Sequence, residues 1–130
     1  MGSAVTGADP AAPYVMEPLG ADGIATFRYR AGTVLTEAIA RSAMADLGIL
    51  TNGKRQPLLA DIRKVKTLTR EARVFFDNVT DKFSALALLA GSPATQLMVN
   101  FFLGMSRPKV PTRMFTDEEK ALAWLRRHVV

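Results

Sequence analysis

The chain has 130 residues, of which 48% are hydrophobic and 22% charged, with a formal net charge of +5. That length fits one domain able to bury its own core, and the apolar content argues against disorder over most of it. With no cysteine, disulfides, thiolate catalysis, thiolate zinc sites and iron–sulfur clusters are excluded.

Residues 1–13, "MGSAVTGADPAAP", are small, polar and proline-bearing and read as a flexible arm. They lack a basic region followed by an apolar one, so a cytoplasmic location is expected. The rest, 14–130, reads as a single domain. "YVMEPLGADGIATFRYRAG" has a turn signal at Gly20 to Gly23 between aromatic and β-branched runs, which predicts a β-hairpin. From Val34 to about Leu50 the spacing of Leu35, Ala38, Ile39, Ser42, Ala43 and Leu47 is helical, and Gly48 or Asn52-Gly53 stops it. The segment Gly48 to Arg55 matches part of a phosphate-binding loop. It leaves a helix for a strand, and Arg55 stands where a hydroxyl is needed, so it reads as a helix end and a turn.

"PLLADI" is a short continuous apolar run, as in a central parallel strand buried on both faces. Thr69 is then an N-cap, and a second helix runs to about Lys82, with Asp77 and Asp81 on its solvated side. Residues 83–106 carry no charge, but "GSPATQ" interrupts them; the parse is a buried strand "SALALLAG" and a helix "ATQLMVNFFLGM", not a membrane span. "KVPTRMF" gives a last strand. In "TDEEKALAWLRRHV" Thr116 and Glu119 form a capping box, acids occupy the first turn, and Arg126, Arg127 and His128 the last. His128 has no partners for a triad or a metal and reads as a dipole-complementing surface group.

Strands alternating with helices over short connections predict an α/β fold with a mixed, mostly parallel central sheet and an antiparallel edge from the first hairpin. The helix 94–105 is apolar almost all round: Leu97, Met98 and Phe101 form one stripe and Val99, Phe102 and Leu103 extend it, implying burial on more than one side, with Met98, Phe101, Phe102 and Met105 at a dimer interface or an apolar groove as well as the core. The basic residues are dispersed without a lysine-arginine run, which points away from nucleic acid.

At "LLADIRKVKTLTREARVFF" the chain resembles a STAS-type domain, the fold of anti-sigma-factor antagonists and of the cytoplasmic domains of sulfate transporters, and its ending is similar to bacterial STAS-like proteins of unassigned function. In the antagonists a strand ends in aspartate, and the following helix begins with a segment holding a phosphorylatable serine. Here Thr69, Arg70, Glu71 and Ala72 fall at that segment, so the serine is missing and Thr69 is the nearest hydroxyl. The expected function is a non-enzymatic STAS-like regulatory module, homodimeric through its apolar helix, with no residue set for catalysis and no metal or cofactor. Asp61, Arg63, Thr69, Arg70 and Arg73, at the carboxyl end of a parallel strand and a helix N-terminus, are the expected binding residues for an acidic protein or small anion. One alternative is a carrier of an apolar or lipid-like molecule, using the helix 94–105; another is an enzyme using carboxylates and arginines at the strand ends, with a polar pocket around Asp61 and Glu71.

Overall fold

The computed structural model describes residues 12–79, 81–106 and 108–129. Most of the expected arm lies outside the described residues. Its end is held, because the carbonyl of Pro13 accepts from the Arg30 N–H at 2.9 Å.

The chain runs β1 (Tyr14–Met16), β2 (Ala25–Tyr29), β3 (Val34–Leu35), α1 (Glu37–Leu50), β4 (Gln56–Asp61), β5 (Thr67–Leu68), α2 (Arg70–Asp77), β6 (Phe83–Leu89), α3 (Pro93–Met105), β7 (Thr112–Phe115) and α4 (Glu118–Arg126). The main sheet has five strands in the order β1-β2-β4-β6-β7. Only the β1–β2 pair is antiparallel, with Tyr14 opposite Tyr29; the others are parallel. The expected hairpin and central parallel strand are both present. The hairpin turn closes through Gly23, whose φ of +82° suits glycine.

The period of two along each strand divides the core. Leu86 and Leu88 of β6 join Phe27, Leu58, Ala60 and the buried residues of α1 and α3 on one face. Ala85, Ala87 and Leu89 turn to the other and pack on Ala121 and Leu125 of α4. The small alanines let α4 lie close to the sheet. Helices α1, α2 and α3 therefore cover one face and α4 covers the other.

Three boundaries differ from the sequence reading. Val34 and Leu35 are strand, not helix: they pair in parallel with Thr67 and Leu68 in a second, two-stranded sheet. The helix then starts after Thr36, whose hydroxyl accepts from the Ile39 N–H at 3.3 Å. Helix α2 ends at Asp77, because Asn78 caps it and donates from its side chain to the Val74 carbonyl at 2.9 Å. Asp81 is therefore not on the same helix as Asp77, which instead meets Arg73 at 3.7 Å. The cap of α4 is Asp117, one residue later than Thr116, and its carboxylate accepts from the N–H groups of Glu119 and Lys120. The segment resembling a phosphate loop is the end of α1 and a turn, with Asn52 and Gly53 at positive φ.

Candidate functional site

The residues expected to form one binding surface are divided by the sheet. Asp61, at the end of β4, faces α4. Its carboxylate accepts from Arg63 Nε at 2.9 Å and Nη2 at 2.8 Å, and from Arg28 Nη1 at 3.0 Å. Arg28 in turn holds Glu118 of α4 through both terminal nitrogens, at 3.0 and 2.9 Å, and donates from Nε to Glu17. The stem of Arg63 lies on Gly91, where a Cβ would meet its Cγ at 3.2 Å.

Burial of Asp61 opposes its ionisation but is outweighed by the hydrogen bonds from the Arg63 side chain, the Arg63 N–H and Arg28, so its pKa lies below the ordinary value. The hydrogen bond from Arg28 likewise lowers that of Glu118, against the cost of its burial. Arg63 is raised, mainly by its bond to Asp61. These charges satisfy one another and tie β1, β2, β4 and α4 together. Asp61 and Arg63 are thus engaged internally, in a joint built across the sheet end.

The other three expected residues lie on the opposite face. Thr69 caps α2 by accepting from the Ala72 N–H at 3.2 Å, and its own N–H donates to the Leu35 carbonyl at 3.1 Å. The small β3–β5 sheet thereby fixes the start of α2. Arg70 and Arg73 follow on α2. Together with Thr67, Leu68 and Thr69 they form one wall of a groove of about 330 Å³, whose other wall is Met98, Phe101, Phe102 and Met105 of α3. Arg73 donates across it to the Met105 carbonyl at 3.4 Å. The two sets of residues singled out in the sequence, the basic helix start and the apolar helix, therefore meet in one place.

Among the described residues no carboxylate lines this groove. Arg73 is balanced by Asp77, while Arg70 is exposed and forms no ion pair among the described residues. Helix α3 buries only Thr95 and Val99 fully within the single chain, which leaves its far side open. Leu97, Phe101 and Met105, spaced four apart, are 71%, 69% and 54% exposed. Single exposed apolar residues are ordinary, but three along one stripe beside two cations make an amphipathic face. Sequence reasoning passed over Leu68, because a two-residue strand has no period to read.

A second cleft of about 510 Å³ lies between α1 and α2. It is lined by charges of both signs, and Arg41 there is already paired with Glu37 at 2.6 Å and stacked over Phe75 at 4.7 Å. No helix among the described residues is long and apolar enough to cross a membrane.

A family model described as "Domain of unknown function (DUF7793)" matches residues 19–129. No curated protein matches the chain. Among solved structures, an anti-sigma factor antagonist from Mycobacterium paratuberculosis is similar at a TM-score of 0.57 and 16% identity, over 87% of this chain and 92% of that one. An uncharacterized protein of the DUF3478 family with a SpoIIAA-like fold, from Shewanella loihica PV-4, is similar at 0.55 and 17%, over 86% and 91%. A protein of unknown function from Arthrobacter sp. FB24 shares 32% identity over 88% of this chain and 92% of its own, at a TM-score of 0.33. The fold is SpoIIAA-like, of the STAS type expected from the sequence.

Proposed function

The chain belongs to the DUF7793 family, and from its fold and its groove we propose that it is a non-enzymatic regulatory module that binds an acidic protein segment between α2 and α3. The observation that carries this is the groove's composition: an apolar α3 wall faces Arg70 and Arg73, and among the described residues no carboxylate lines it. A partner segment with apolar and acidic side chains would bury the exposed stripe of α3 and complete the charge of Arg70. The likeness to an anti-sigma factor antagonist supports a role exercised through protein contacts, and a cytoplasmic site of action goes with that likeness.

The same stripe also suits a second copy of the chain, the homodimer expected from the sequence. A lipid carrier is less well supported. The interior holds an apolar cavity of about 40 Å³, room for roughly three water-sized probes and far short of an acyl chain.

A photo-crosslinking residue in place of Leu97, expressed in the protein's own host, tests the reading. The expected product is an adduct with a different protein. Arg70→Glu with Arg73→Glu should weaken that purified partner at least about tenfold, the effect of lost charge-assisted contacts. Binding unchanged by the double reversal would overturn the proposal, and an adduct with a second copy of this chain would replace it with self-association.

A further inference from the structure

Leu68, Met98 and Phe102 line the groove on one side and the internal cavity on the other. These shared side chains form the partition between the two spaces. All three residues are only partly buried, and none has a polar side-chain group whose hydrogen bond must break if it turns. Met98, unbranched and with three rotatable bonds, is the kind of side chain that repacks most readily. Behind the partition the lining is aliphatic and aromatic, including Leu58, Ala60, Leu88 and Val99. Such a void stays dry, and a group that fills it regains the dispersion contacts its walls lack.

Resting on the reading of the groove given above, we propose that groove and cavity are two halves of one receptor, and that the partner segment inserts an aliphatic anchor between Leu68, Met98 and Phe102 while a neighbouring carboxylate stays on Arg70. The volume selects the anchor. About 40 Å³ suits the branched end of a leucine or isoleucine side chain and is too small for an indole or an extended chain. The charge selects what lies beside it: Arg73 is met by Asp77, while Arg70 at the rim forms no ion pair among the described residues. The partner is therefore a segment in which leucine or isoleucine stands next to aspartate or glutamate. Its anchor would be the dominant contact of the interface, as pocket-filling groups usually are.

The test needs no knowledge of the partner. Isocaproate joins a leucine-like isobutyl end to a carboxylate, and its amide removes only the charge. Methyl-labelled protein titrated with isocaproate should show nuclear Overhauser contacts from the probe to Leu88 and Val99, which line the cavity and not the groove. The amide, or Arg70→Gln, should bind at least about tenfold more weakly. Ala60→Val should fill the cavity and abolish those contacts with the melting temperature kept or raised. Shifts confined to the Met98 and Met105 methyls would overturn the gate while leaving the groove standing as a binding site. Equal binding of acid and amide would overturn the anionic half of the receptor, and no shift in the groove would overturn both readings.

Discussion

Arg28 and Asp61 stand directly opposite one another on the neighbouring parallel strands β2 and β4, and Arg28 Nη1 donates to Asp61 Oδ2 at 3.0 Å. The same guanidinium holds Glu118 on α4 through two bonds, so one side chain fastens the helix to the sheet. Arg28→Met should destabilise the fold by about 1.5–3 kcal/mol, the range for hydrogen bonds to charged groups with the acids left partly buried. Urea unfolding checks this, and a loss below about 0.5 kcal/mol, the level of ordinary surface changes, would show that the joint contributes little.

The same cluster sets an acid limit. Folding depresses the pKa values of Asp61 and Glu118 below 3.8 and 4.5, so their contribution is fully present above those values and is lost as pH falls through them toward the folded ones. Stability measured at a series of pH values should fall across that acid window. Asp61→Asn with Glu118→Gln should flatten the fall, whereas a slope as steep as that of the parent would place the acid sensitivity elsewhere.

Tyr14 sets a limit at the other end. Burial, then the hydrogen bond its hydroxyl donates to Asp46, pushes its pKa up from 10.0 to about 12. Here the protonated form is favoured by folding, so the stabilisation is complete below pH 10.0 and lost as pH rises toward 12. Spectrophotometric titration should find Tyr14 ionising late, and Tyr14→Phe should cost about 1 kcal/mol at neutral pH. Ionisation of both tyrosines at the ordinary value in the folded protein would contradict the burial.

Thr69 acts as a cap irrespective of any modification. Thr69→Ala should destabilise by about 0.5–2 kcal/mol and Thr69→Asp should retain the cap. Hydrogen exchange of the Ala72 amide reports this locally: exchange unchanged in Thr69→Ala would show that the β3–β5 sheet alone holds the helix start.

Phe101 and Leu88 are both large and apolar but should respond oppositely. Phe101 is mostly exposed, so Phe101→Ser should change stability by less than about 0.5 kcal/mol while altering association. Leu88 lines the cavity in the core, so Leu88→Ala should cost about 2–5 kcal/mol. Thermal melts with sedimentation velocity separate the two effects; a large stability loss in Phe101→Ser would mean that the stripe is part of the core.

Local chemistry explains which features were legible in the sequence. Ser92-Pro93 marks a helix start because a hydroxyl cap and a residue lacking an N–H suit adjacent positions, and the Ser92 hydroxyl does accept from the Thr95 N–H at 3.1 Å. Thr69 was legible for the same reason. The continuous apolar runs of β4 and β6 identify strands covered on both sides, although they do not say which helix covers which face.

The sequence by itself determined the type and order of the main elements, the parallel sheet with its antiparallel edge, and the STAS-like fold. Helical and strand periods, caps and glycine turns act within a few residues and can be read without knowing what lies opposite. Only the tertiary structure decided how the stretch from Asp61 to Arg73 divides. Asp61 and Arg63 are bound into a joint with Arg28 and Glu118, which lie 90 positions apart, while Arg70 and Arg73 face a helix that begins two dozen residues further on. Short strands such as β3 and β5 have too few residues for a period and exist because each is paired with the other. Whether a charge is satisfied or left free depends on partners distant in sequence, and that is why the groove emerged only from the fold.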